Sequence, residues 1–237
     1  MRNFSNTYIF IFSAIMVIVV AALLSFAATV LKPYQQKNVE IAKKLDILKS
    51  VNEAEGVAEA KDKNTYVEGE YNKYIKESFV LNAQGELVEG IDAFGIDLKV
   101  EMAKEPGEMH LPVYVFSDDS GNKYIFPLRG KGLWGPIWGY VSLDSDFSTI
   151  YGATFDHEGE TPGLGAEIAE KWFQEQFAGK ELFENGDFTS ISVVKTGASN
   201  KHEVDGVSGG TITSKGLEAM LKNGFGNYEE YLKSKMN

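Results

Sequence analysis

Residues 8 to 31 (YIFIFSAIMVIVVAALLSFAATVL) pass 24 positions without one charged side chain. As a helix rising about 1.5 Å per residue, such a run covers roughly 36 Å, more than the ~30 Å hydrocarbon core of a bilayer. Lipid offers the backbone no hydrogen bonds, and a helix satisfies them all within the segment. Tyr8 and Tyr34 bracket the run at interfacial positions. The competing reading is a cleaved secretory signal, because Ser25-Phe26-Ala27 loosely resembles a cleavage site. The run is much longer than a usual signal core, and Arg2 alone supplies a basic start, so an uncleaved single anchor in membrane lipid is expected. Charge leaves its sidedness open. Lys32, Lys37, Lys43, Lys44 and Lys49 would hold the following chain inside, yet large acidic domains cross largely regardless of flanking charge.

The chain beyond the anchor has the material for a core: 43% of the 237 residues are hydrophobic, with 15 Phe and 11 Tyr. Lys+Arg 23 against Asp+Glu 34 gives a net charge of -11, which argues against nucleic acid as a partner. There is no cysteine, so disulfides, thiolate nucleophiles and Cys-ligated iron–sulfur clusters are excluded.

Pro33 is expected to end or turn the first helix. Val39, Ile41, Leu45 and Leu48 then recur near helical spacing, predicting a short amphipathic helix over 34–51. Residues 52–76 are charged and weakly patterned and read as a linker with some helix. Strand signals begin near Phe79-Val80-Leu81. A hairpin is predicted from Val113–Phe116, a turn over 117–122, and Tyr124–Phe126. Asp118 and Asp119 suit turn chemistry better than a calcium loop, since EF-hand spacing is missing. Further strands are expected at 139–143, 149–155 and 191–195. A helix over 167–178 would bury Ile168, Trp172, Phe173 and Phe177 and stop at Gly179. The expected class is α+β: a transmembrane anchor (1–33), a helical, charged linker (34–76), and one strand-rich domain with a few packed helices (77–237).

Three glycine-rich segments carry the chemistry. In Ser208-Gly209-Gly210-Thr211-Ile212-Thr213-Ser214 the glycines allow close approach of a ligand and a positive φ. Thr213 or Ser214 can then cap a helix through Leu217, Met220 and Leu221, with Glu218 favouring its first turns. The free N–H groups of such a start suit a phosphate, although a Gly-Gly turn before a capped helix is common and no Walker loop is present. Glu160-Thr161-Pro162-Gly163-Leu164-Gly165 is at least a tight turn, and at most a loop pressing Leu164 and amides onto a flat heterocycle. Gly130-Lys131-Gly132-Leu133-Trp134-Gly135-Pro136-Ile137-Trp138-Gly139 reads as aromatic core or as a wall for a large ring. His110, His157 and His202 are scattered and suggest no metal site.

The order and spacing of Gly132-Leu133-Trp134, Gly159–Gly165 and Asp205-Gly206-Val207-Ser208-Gly209-Gly210-Thr211 resemble the FMN-binding domain found in the C subunit of the Na+-translocating NADH:quinone reductase. The likeness spans nearly the whole chain, anchor included; the G subunit of the related RNF complex shares the domain. The resemblance implies that a flavin transferase, using FAD, attaches FMN covalently by a phosphodiester to Thr211, the threonine ending Asp-Gly-x-Ser/Thr-Gly-Ala-Thr. This chain departs at Gly210, where the family usually has Ala. Also by resemblance, Leu133, Trp134, Glu160, Thr161, Gly163, Leu164, Ser208, Gly209, Gly210 and Thr213 form the flavin site. Lys195 would bring positive charge to it, and Asp205 would hold the loop or present it to the transferase. The implied role is electron relay within a complex in the bacterial inner membrane, the large domain on the periplasmic side. NADH binds another subunit, since no Gly-x-Gly-x-x-Gly fingerprint is present. The alternatives are the RNF counterpart, served by ferredoxin, and an anchored assembly module without redox chemistry.

Overall fold

The computed structural model describes residues 5–236, the side chain of Pro106 apart, so Arg2 lies outside the described residues. The chain divides into two compact units, Met1–Lys43 and Lys44–Asn237. The helix α1, which spans Asn6–Lys49, is long and apolar enough to cross a membrane, and its apolar side chains from Tyr8 to Leu31 are exposed. Pro33 lies inside this helix and does not end it, and no second helix starts at residue 34. Proline removes one bond to the carbonyl four residues back, at a cost of about 3 kcal/mol. The helix-favouring run from Gln35 to Leu48 sustains the helix past that gap, helped by burial of Ile47 and Leu48 in the second unit. Val39 of the expected apolar face is instead exposed.

The second unit is built on a six-stranded sheet of order β2-β1-β3-β4-β5-β6. Residues 52–76 hold more structure than a linker: α2 covers Lys63–Tyr74, capped by Asp62, and buries Val67. The strands are β1 (Ile75–Leu81), β2 (Leu87–Val88), β3 (Leu111–Asp118), β4 (Gly121–Lys131), β5 (Pro136–Leu143) and β6 (Ile150–His157), with a one-turn helix α3 (Leu98–Glu101) before β3. All their pairings are antiparallel. The predicted hairpin is tighter than expected, because pairing continues to Asp118 opposite Gly121. Asp118 Oδ1 accepts from the Ser120 backbone N–H at 2.8 Å, the Asx geometry that suits this residue to turns.

Six successive residues of β3, Leu111 to Phe116, are buried, because both faces of the sheet are covered. Val113, Phe126, Leu128 and Val141 point to one face; Tyr114, Phe116, Ile125 and Tyr140 point to the other, where Ile47 and Val51 meet them. The continuous helix expected over 167–178 is broken. A 3-10 turn (Gly165–Ala169), the short α4 (Lys171–Gln174) and a second 3-10 turn (Glu175–Phe177) replace it. Ile168, Phe173 and Phe177 do fill the core, but Trp172 points outward, its indole N–H donating to Glu167 at 3.1 Å. Breaking the helix lets three large side chains reach one core cluster without Trp172 joining them. Gly179, with φ 75°, marks the stop as expected. Short ladders β7–β8 (Phe183–Glu184, Asp187–Phe188) and parallel β9–β10 (Ser192–Val194, Glu203–Asp205) follow.

At the free edge of β6, Gln174 donates to the Phe155 carbonyl at 2.9 Å, and Ile150 exchanges backbone bonds of 2.8 Å with Lys180 and Gly179. The opposite edge strand, β2, has only two residues.

The last helix, α5 (Thr211–Met236), lies on β4. Its contact stripe is Gly216, Met220 and Gly224. A Cβ on Gly216 would strike the Lys131 carbonyl, and one on Gly130 would sit 2.6 Å from Met220 Cβ. Further along, Tyr228 donates to the Pro112 carbonyl at 2.9 Å and meets Phe126 edge-on at 5.0 Å. This seating brings the start of α5 to the turn between β4 and β5. Gly216→Ala is accordingly expected to destabilise the fold by about 1–3 kcal/mol. On the exposed side of the same helix, Gly226→Ala has no atom nearer than 4.0 Å, and should stabilise by about 0.5–1 kcal/mol. Denaturant midpoints of the two variants against wild type test both signs.

Candidate functional site

Three loops converge where α5 begins. The first is the β4–β5 turn, closed by Gly132 N–H donating to the Gly135 carbonyl at 2.8 Å. The second follows β6 through Glu160 to Gly165, where the Thr161 carbonyl accepts from both Leu164 and Ala166 at 3.1 Å. The third runs from β10 into α5. Gly206 N–H extends the β9–β10 ladder by donating to the Val194 carbonyl at 2.7 Å, and Gly210 N–H closes a turn onto Val207 at 3.0 Å. Gly209 sits at φ 75°, a left-handed conformation natural to glycine, and a Cβ there would lie 2.6 Å from Leu164. Leu164 thus rests on the bare backbone of the third loop.

Helix α5 starts earlier than expected, with Thr211 as its first residue, so neither Thr213 nor Ser214 is its cap. Its first intrahelical bond is Ser214 N–H to the Gly210 carbonyl, 2.9 Å. The hydroxyls of Thr213 and Ser214 are turned inward for other work. Ser214 Oγ accepts from Val207 N–H at 3.1 Å, and Thr213 Oγ1 donates to Glu160 Oε2. Glu218, expected to favour the first turns, instead accepts from Val193 N–H at 2.6 Å and pairs with Lys215.

Glu160 joins all three loops. It is 4% exposed; Oε1 accepts from Trp134 N–H at 2.8 Å, while Oε2 takes the Thr213 hydroxyl. Room for this carboxylate comes from two glycines. A Cβ on Gly132 would lie 2.5 Å from Oε1, and one on Gly165 would collide with Oε2 and Thr213 Oγ1. The Glu160 N–H in turn donates to His157 Nδ1 at 3.2 Å, which gives that histidine a fixed structural role.

Of the hydroxyls in the segment, Thr213 and Ser214 are buried and engaged, whereas Thr211 and Ser208 are exposed. Around Thr211 stand apolar side chains that a folded domain ordinarily covers: Trp134 is 69% exposed, Ile212 59%, Leu133 45% and Leu164 42%. No acidic residue occupies the first turn of α5. The N–H groups of a helix start have no intrahelical acceptor and carry the positive end of its dipole, which suits a phosphate. These residues fit an FMN. An FMN placed here would meet the exposed hydroxyl of Thr211, the N–H groups of the helix start and the apolar surface of Leu133, Trp134, Leu164 and Ile212.

Asp205 holds the loop from behind. Its Oδ1 accepts from Ala198 N–H at 2.8 Å, and Gln176 grips its backbone N–H and carbonyl at 2.9 and 3.2 Å. Sequence reasoning missed Gln176, because its partner lies 29 positions away and glutamine carries no motif. Thr161 and Gly163 are exposed parts of the second loop. Lys195 is exposed too, and approaches the third loop only through the Val194 carbonyl that Gly206 binds.

Burial opposes the charge on Glu160, but hydrogen bonds from Thr213 and from the N–H groups of Trp134, Gly135 and Leu133 outweigh it and hold its carboxyl below the usual glutamate range. A depressed folded-state pKa contributes stability that is complete above the unfolded value and is lost as pH falls through the folded one. The stability difference between wild type and Glu160→Gln is therefore expected to narrow as pH drops from about 7 to about 3, read from denaturation midpoints at each pH.

A family model described as the FMN-binding domain matches residues 132–225, which include all three loops. The C subunit of the Na+-translocating NADH-quinone reductase of Haemophilus ducreyi is 34% identical over 244 residues, covering 94% of this chain and 91% of its own length. Its counterpart from Neisseria meningitidis serogroup A is 31% identical, covering 97% and 93%. The crystal structure of the same protein from Parabacteroides distasonis superposes with a TM-score of 0.75 at 45% identity, covering 85% of this chain and 96% of that one. This chain belongs to the C-subunit family of the Na+-translocating NADH-quinone reductases.

Proposed function

We propose that this chain is the FMN-carrying C subunit of a Na+-translocating NADH:quinone reductase, with the flavin bound covalently through its phosphate to Thr211 Oγ1. The observation that carries this reading is the placement of Thr211. Its side chain is exposed at the first position of α5, while the neighbouring hydroxyls of Thr213 and Ser214 are turned into the protein. Attachment requires a flavin transferase and FAD. Thr211 Oγ1 forms a bond to the phosphorus of the FMN half, the pyrophosphate bond breaks, AMP leaves, and the hydroxyl proton is released.

Once bound, the flavin supplies electron transfer between the donors and acceptors of the complex. The chain's own residues fix its place. Thr211 tethers the phosphate at the positive end of α5, and Leu133, Trp134 and Leu164 give apolar surface to the ring. Asp205, held by Gln176, keeps the acceptor loop in register, and Lys195 adds positive charge at its flank. The names of the similar proteins favour this complex over the RNF counterpart. The apolar part of α1 anchors the chain in the bacterial inner membrane, with the domain facing the periplasm. Other subunits bind NADH and quinone.

Protein made with a co-expressed flavin transferase is expected to give a fluorescent band on a denaturing gel under ultraviolet light, and a mass increase of one FMN less one water. Thr211→Ala should remove both, and Thr213→Val should keep the adduct on Thr211 in peptide mapping. An adduct persisting in Thr211→Ala would refute the tether. Because the chain lacks cysteine, a single Lys222→Cys reports sidedness cleanly. An impermeant maleimide should label it in cells with a permeabilised outer membrane, and labelling only after inner-membrane lysis would reverse the orientation.

A further inference from the structure

We infer that Glu160 is a positioning residue: its carboxylate is a strap that locks the β4–β5 turn to the first turn of α5 and so fixes where the Thr211 hydroxyl points. This deepens the flavin-site reading above and rests on it for its functional consequence. Glu160 itself does not face the acceptor. It is 4% exposed, while Thr211 stands on the outside of the same helical turn that presents Thr213 inward.

The geometry divides the carboxylate's labour. Oε1 collects the N–H of Trp134, with the neighbouring N–H groups of Leu133 and Gly135 also turned toward the group. Oε2 receives the Thr213 hydroxyl, two residues beyond the acceptor. Gly132 on one side and Gly165 on the other leave the space in which the group sits, and a methyl at either would meet an oxygen of it. Two glycines from separate loops thus accommodate one buried charge, with hydrogen bonds on both oxygens. That is a satisfied buried carboxylate, and removing it strands the donors on both sides.

The same group keeps a buried negative charge against the first turn of α5. A fixed negative charge near a cofactor that gains electrons would disfavour its reduced form, so the strap would couple position to potential. Glutamine separates the two effects. Its carbonyl can still accept from Trp134 N–H, and its amide can donate to Thr213 Oγ1, but the charge is gone.

The test has an arm that needs no flavin. In protein made without transferase, amide hydrogen exchange in Glu160→Ala is expected to rise about tenfold or more, jointly at residues 133–135 and 211–214, while 217–232 stays protected. Glu160→Gln should restore most of that protection. Thr213→Val, which removes only the hydroxyl, should speed exchange at 133–135 across the strap, and it serves if Glu160→Ala does not fold. Unchanged exchange at 133–135 in Thr213→Val, or loosening of only one segment in Glu160→Ala, would overturn the assignment. In the second arm, with transferase, flavin loading should fall severalfold in Glu160→Ala and recover in Glu160→Gln, whose midpoint potential should move positive. Wild-type loading and potential in Glu160→Ala would also overturn the functional role. If flavin loads on Thr211→Ala while Glu160→Ala still loosens both segments, the tether reading fails and the strap stands.

Discussion

A carboxylate buried among backbone amides is costly unless nearly every lone pair finds a donor, and Glu160 meets that condition with donors from two distant parts of the chain. Residues 134, 160 and 213 are far apart in sequence, and they meet at this group. Once it is in place, the β4–β5 turn, the loop after β6 and the start of α5 have one relative arrangement. The glycines around it follow from the same constraint, since Gly132 and Gly165 must leave it room. The exposed apolar side chains of Leu133, Trp134 and Leu164 then stand on loops that cannot drift apart.

The long reach of α5 along β4 supports this arrangement from below. Gly216 and Gly224 allow the helix to lie directly on the strand, and Met220 fills the space over Gly130. The position of the helix start is thereby set by packing over the whole of β4, and the strap trims it locally. A phosphate site made of helix N–H groups gains from such rigidity, because its donors cannot be aimed individually.

Much of this was legible in the sequence. The apolar run gave the long apolar helix, alternating and continuous apolar stretches gave the sheet strands, and the order of the three glycine-rich segments gave the family and its FMN-binding domain. What failed did so for definable reasons. Pro33 looked like a stop because local propensity cannot register the burial of Ile47 and Leu48 farther along. Trp172 looked like core because apolar spacing cannot show that the helix carrying it breaks into short turns. Thr213 looked like a cap because its true partner lies 53 positions away. Glu160 was legible as part of the second glycine-rich loop but not as a buried residue, since a charged side chain beside Thr and Pro reads as a solvated loop.

The two ends of the sheet have a consequence for crowding. A domain held on a membrane by its long apolar helix would be confined to a plane beside its own copies, where any open strand edge would invite sheet-to-sheet joining. On one side β2 covers only Val80 and Leu81 of β1. On the other, Gln174 occupies the Phe155 carbonyl and the 179–180 segment occupies Ile150, so the ladder is interrupted at both ends of β6. Joining through the β6 edge is thereby blocked.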